Sequence, residues 1–174
     1  MRFAVLALAM TLAACASPGG RQTLTPADSA TAVIVGGPLT MRTETHAASG
    51  GEDPLIDMTL TTADGRAMRF TEANHTPYDV SAQAPGGPLS QVMGFFGAEQ
   101  PTLYSVDASH NSGAPFICAP DGPAMLGYFR ATDGQVSIVG LRSAFEFEPR
   151  DDGTYEALPY SPDHVCARLK FRTG

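Results

Sequence analysis

The chain predicts a mostly β domain, a small antiparallel β-sandwich or partly open β-barrel with at most one or two short helices. Three observations predict it. Apolar and polar residues alternate over several short segments, as in Ile56, Met58 and Leu60 against Asp57, Thr59 and Thr61. Asp-Gly turn pairs at 64–65 and 133–134 each sit between two such segments. Gly- and Pro-rich stretches such as Gly36-Gly37-Pro38 and Ala84–Pro88 break the chain into such short segments.

Taken in order, residues 16–30 (ASPGGRQTLTPADSA) show no apolar periodicity and read as a flexible tether. Thr31–Val35 is a short β-branched strand candidate ended by Gly36-Gly37-Pro38, and Leu39–His46 is a second. His46–Pro54 is a loop by composition. Leu55–Thr62 and Arg66–Asn74 form a hairpin whose turn follows from register. A two-residue turn at Asp64-Gly65 would put the two apolar rows on opposite faces. A three-residue loop, Ala63-Asp64-Gly65 with Gly65 left-handed, pairs Leu60 with Met68 and Met58 with Phe70, and buries one common face. The bulged turn is therefore expected.

Beyond a loop at Ala84–Pro88, the residues Leu89, Val92, Met93 and Phe96 are spaced for a short amphipathic helix or an irregular apolar segment under the sheet. Thr102–Val106 reads as a strand. Met125–Arg130 and Val136–Leu141, joined through Thr132-Asp133-Gly134, form a second hairpin with apolar residues on both faces, as in strands covered on both sides. Ser143–Glu148 and Val165–Arg172 alternate again. Glu146 and Glu148 on one and Arg168, Lys170 and Arg172 on the other form acidic and basic rows of matching period, so these strands are expected to be neighbours. Cys166 falls on the basic, outward row and is expected outside the core unless a bulge shifts the register.

Delivery is written in the first fifteen residues. Arg2 precedes a twelve-residue apolar run, Phe3 to Ala14, well short of the roughly 18–20 residues that span a bilayer but suited to an export signal. The run ends in Leu12-Ala13-Ala14-Cys15, which resembles the lipobox of bacterial lipoproteins. The resemblance implies cleavage before Cys15, diacylglyceryl transfer to its thiol, and a membrane anchor of two or three acyl chains. Ala14-Cys15-Ala16 also fits ordinary A-x-A cleavage, which would release a soluble protein. The residue after the cysteine is Ala16, not Asp, and the resemblance to such lipoproteins then implies sorting to the outer membrane, with the domain facing the periplasm. The chain thus divides into 1–14 (signal peptide), 15–30 (lipidated cysteine and tether) and 31–174 (one β-rich domain). Three Cys is an awkward number for an exported protein, and lipidation of Cys15 leaves Cys118 and Cys166 as an even pair. In an oxidising compartment these are expected to form a disulfide, worth roughly 4 kcal/mol for a loop of about 49 residues.

Removal of 1–14 takes Arg2 and leaves 160 residues with 10 Lys+Arg against 18 Asp+Glu, a net charge of −8. Such acidity argues against nucleic acid and anionic membrane surfaces as partners. The four His (46, 75, 110 and 164) stand in no metal-ligand spacing, and no G-x-S-x-G occurs, so neither metal nor cofactor is expected. Asp107, Ser109 and His110 are triad residue types set side by side, but triads are assembled from separate segments, and a polar loop is the expected reading. Tyr155, Leu158, Pro159 and Tyr160, with Tyr78 or Tyr104, make a candidate recognition surface, set against a loop folded over a sheet edge. The expectation is a lipid-anchored, non-catalytic binding or scaffolding domain held to the membrane through Cys15, with an envelope protein as its possible partner. The alternatives are a periplasmic hydrolase-like enzyme with dispersed residues, or an inhibitor of a basic hydrolase. In outline the chain is similar to membrane-anchored lysozyme inhibitors.

Overall fold

The computed structural model describes residues 20–46, 55–73, 102–144, 147–149, 151, 155–157 and 162–174. The strands are β1 (Arg21–Pro26), β2 (Leu39–His46), β3 (Leu55–Thr61), β4 (Ala67–Glu72), β5 (Thr102–Val106), β6 (Met125–Arg130), β7 (Gln135–Leu141), β8 (Phe147–Pro149), β9 (Tyr155–Ala157) and β10 (Val165–Thr173). One helix, α1 (Ser29–Val35), joins β1 to β2. Eight strands close a barrel in the order β1-β10-β7-β6-β5-β4-β3-β2, and β8–β9 is a separate hairpin in the β7–β10 connection. All neighbours are antiparallel, so the barrel runs up and down in chain order and closes where β10 returns to β1. The expected antiparallel β class is what forms, and it closes completely.

Closure comes from residues expected to be tether. Arg21–Pro26 has a single buried side chain, Leu24, and is held by β10 on one side (Leu24 opposite Thr173) and β2 on the other (Leu24 opposite Leu39). The segment expected as a first strand, Thr31–Val35, is instead within α1. Asp28 caps it, its Oδ1 accepting from the Thr31 amide at 2.7 Å, and Gly36 ends it at φ 75. Thr31 and Val35, one turn apart, are the two residues the helix buries, and Thr31 Oγ1 accepts from the Lys170 amide of β10. Capping at both ends and two buried contacts override a β-branched composition.

An eight-stranded barrel is just wide enough inside for side chains to fill. Here Leu24, Leu39, Met58, Leu60, Met68, Phe70, Leu126, Ile138 and Phe171 fill it, all fully buried in one cluster. Both Asp-Gly hairpins have the bulged turn. Leu60 pairs with Met68 and Met58 with Phe70, with Gly65 at φ 88. In the second, Arg130 pairs with Val136, with Gly134 at φ 83. Leu103, Met125, Val139 and Leu141 are buried but stand outside the interior cluster, on the opposite face of β5–β7. These strands are thus covered on both sides. The pattern expected at 89–96 and the loops at 47–54 and 84–88 lie outside the described residues.

The β5–β6 loop plugs the end of the barrel where α1 also sits. Phe116, Ile117 and Cys118 are buried in the interior cluster, and Arg66 stacks its guanidinium over the Phe116 ring at 5.6 Å. Cys118 is disulfide-bonded to Cys166, with Cα atoms 5.2 Å apart. The bridge is not outside the core. A bulge between Val165 and Ala167 breaks the alternation of β10, so Ala167 still faces inward while Cys166 packs against the interior cluster as well. Gly140 makes room for it: a Cβ there would stand 2.5 Å from Cys118 Sγ and 3.0 Å from Ile117 Cγ2.

Two measurements check this plug. Replacing both Cys118 and Cys166 by Ser is expected to lower the free energy of unfolding in urea by roughly 4 kcal/mol. Gly140→Ala, with the disulfide intact, is expected to lower it too, through overpacking of about 1–3 kcal/mol. An unchanged urea midpoint in either variant would contradict the packing described.

Candidate functional surfaces

Because the interior is filled, the groups available for recognition lie on the outer wall and the barrel ends. Two tyrosines point inward. Tyr104 and Tyr128 meet edge to face, ring centroids 6.5 Å apart at 88°, and burial raises the pKa of both phenols. Tyr104 is 5% exposed, so it cannot join an exposed tyrosine surface as the sequence allowed. Tyr155 is on β9, and Tyr78 and Tyr160 lie outside the described residues.

Asp107, Ser109 and His110 do meet, around the 3-10 turn Ala108–His110 that follows β5. The Ser109 hydroxyl donates to Asp107 Oδ1 at 2.5 Å and lies 3.0 Å from His110 Nδ1. Asp107 Oδ2 lies 2.6 Å from that same Nδ1. A catalytic triad needs the hydroxyl on one ring nitrogen and the carboxylate on the other, so that a proton taken from serine is balanced across the ring. Here hydroxyl and carboxylate both face Nδ1, and the Ser109 hydroxyl donates its hydrogen bond to the carboxylate directly. The arrangement is that of a polar turn. Of the other histidines, His164 ends the 3-10 turn before β10, with its carbonyl accepting from the Arg142 amide, and His46 ends β2. His75 lies outside the described residues.

A charged network that sequence reading missed runs along the outer wall beside this turn. Asp57 on β3 is buried, 5% exposed, and accepts from the Arg69 guanidinium and from Thr71 Oγ1 at 2.8 Å. The Asp57 carboxylate holds the Arg69 pKa above its ordinary value, with Asp107 and Glu44 contributing to the same field. Arg69 is also fixed through its backbone, its amide donating to Asn111 Oδ1 and its carbonyl accepting from the Asp107 amide. The sequence signal was the alternation itself: Asp57, Arg69 and Thr71 all stand opposite the buried row of the first hairpin.

The basic row of β10 is not beside an acidic strand. Its ladder partners are neutral, with Arg168 opposite Val139, Lys170 opposite Ser137 and Arg172 opposite both Gln135 and Thr25. Glu148 lies on β8, opposite Glu156 of β9. The expected pairing fails because the β7–β10 connection folds its own hairpin and leaves β10 to β1. On the far side of β1, Arg21 stands directly opposite Arg42, and Thr23 opposite Thr40. Arg42 is 2.7 Å from Glu44. Arg21, Thr40, Arg42 and Glu44, with Thr59 and Thr61, line an open trough of about 1180 Å³ on the outer wall.

Among the described residues, no group of three His, Cys, Asp or Glu converges as a metal site, and no helix is long and apolar enough to cross a membrane. Cys15 lies outside the described residues. No protein-family model matches the chain, and no curated protein or solved structure matches it either.

Three carboxyls titrate below the usual aspartate value of 3.8: Asp28 through the Thr31 amide, Asp64 through the Thr62 hydroxyl, and Asp107 through the Ser109 hydroxyl, each as the leading cause. The unfolded chain takes up these protons at higher pH than the folded one. Their contribution is therefore full above that value and lost as pH falls through it. The urea midpoint of the Asp64→Asn, Asp107→Asn variant is expected to fall less steeply than wild type below about pH 4. Parallel curves would contradict the assignment. A serine-directed phosphonate is expected to leave Ser109 unmodified, read by mass; a covalent adduct would show an activated hydroxyl.

Proposed function

We propose that the protein is a lipid-anchored lipoprotein of the bacterial envelope whose barrel is a non-catalytic binding or scaffolding domain. The lipobox Leu12-Ala13-Ala14-Cys15 supports the anchor, and Ala16 supports the outer membrane, with the domain in the periplasm. The observation that carries the non-catalytic reading is the wiring of Ser109, His110 and Asp107 onto one imidazole nitrogen. A barrel interior packed with Leu, Met, Ile and Phe supports recognition at the outer wall rather than in a central cup.

A fatty-acid label tests the anchor. The wild-type chain is expected to incorporate it and to partition into detergent, while Cys15→Ser does neither; labelled Cys15→Ser would overturn the reading. Immobilised oxidised domain is expected to retain a saturable partner from solubilised envelope. Reproducible absence of one would move the enzyme alternative ahead of it.

A further inference from the structure

The cations of this acidic protein are not spread evenly. Arg21 on β1, Arg42 on β2, and Arg168, Lys170 and Arg172 on β10 are all exposed on the outer wall of three adjacent strands. They are five of the ten Lys+Arg that follow residue 14. Threonines Thr23, Thr25 and Thr40 lie between them on the same outward rows. Acids stand beside it as well, among them Glu44, beside Arg42, Asp28, whose carboxylate is influenced by Lys170, and Asp133, which shares a groove with Arg172.

Two further features bear on what meets this wall. Like charges set directly opposite on paired strands are destabilising, yet Arg21 and Arg42 are held that way. An anionic surface would relieve that repulsion. The chain also enters the barrel here. Gly20 is fixed to β2, its carbonyl accepting from the Thr43 amide at 3.0 Å and its amide donating to Thr43 Oγ1 at 3.2 Å. Cys15 is five residues earlier, a reach of at most about 18 Å even when fully extended. A lipid on Cys15 would therefore hold the β1–β2 end of this wall near the headgroups.

We propose that the outer wall of β10, β1 and β2 docks on the anionic phospholipid surface of the membrane that holds the lipid, so that the barrel lies on its side with its acidic remainder turned away. This rests on the anchor reading for its biological setting. The net charge of −8 argues against such a surface only when it is averaged over the molecule. At contact, screening weakens charges more than about 8 Å away, so the five cations of the wall weigh more than the molecular sum.

The test uses residues 16–174, which retain every strand of the barrel and carry no lipid, so its outcome is independent of whether Cys15 is acylated. Vesicles containing phosphatidylglycerol are expected to sediment the protein, vesicles of phosphatidylcholine alone are not, and added salt should reverse the binding. Arg21→Glu and the pair Lys170→Glu, Arg172→Glu are each expected to weaken it by at least about fivefold. Arg130→Glu, off this wall, should leave it unchanged. A urea midpoint for each variant separates lost binding from lost folding. Three results would each overturn the proposal: equal binding to both vesicle types or to neither, indifference to the β1 and β10 reversals in folded variants, or release by inorganic phosphate at constant ionic strength, which would mark a discrete anion site instead.

Discussion

The fold depends on one unremarkable strand. Arg21–Pro26 supplies two ladders, and without it β2 and β10 would both be open edges, each a row of unpaired amides and carbonyls. Its one inward side chain, Leu24, meets the cluster that contains Leu39 and Phe171. Closure also decides where everything else lies: it forces side chains alternately inward and outward around the full circle, and it fixes the chain entry point beside β2 and β10.

Closure explains which parts of the fold were legible in the sequence. The first Asp-Gly hairpin was, down to register, because burying one apolar face allows only the bulged turn, and a slip of one residue would expose its apolar row; the second was legible as a hairpin through Asp133-Gly134. The closing strand was not, because RQTLTP contains a single apolar residue beyond its proline and carries no alternation long enough to count. Its stability comes from two neighbours rather than from its own composition. Likewise α1 is short, β-branched and helical only because Asp28 and Gly36 cap it and Thr31 and Val35 find the core.

The candidate surfaces divide the same way. Asp107, Ser109 and His110 were visible as neighbours in a polar loop, but neither their contact nor the meeting of both partners at the imidazole Nδ1 was. Only the geometry of a three-residue turn decides that. The buried Asp57 was visible only as an outward position in a strand. Its burial depends on Arg69 one strand away, and a carboxylate so placed needs that guanidinium, since a buried charge without a partner is costly. The disulfide partners could be inferred by elimination, whereas their depth could not: the bulge beside Cys166 moves the sulfur inward against the alternation that precedes and follows it.

The charge rows show why matching periods in two segments do not make them neighbours. Arg168, Lys170 and Arg172 and the glutamates of 146–148 repeat every second residue, and pairing them is the economical guess. It fails because a strand has two edges and topology assigns them first. Once β7 and β1 hold β10, no edge is left for a third strand, and Glu148 pairs with β9 instead. The cations are then left on a wall whose facing residues are Val139, Ser137, Gln135 and threonines, and Arg21 and Arg42 extend it across β1. A chain can thus be strongly acidic in sum and gather half of its cations on one wall, because net charge is a property of composition while contact is a property of topology.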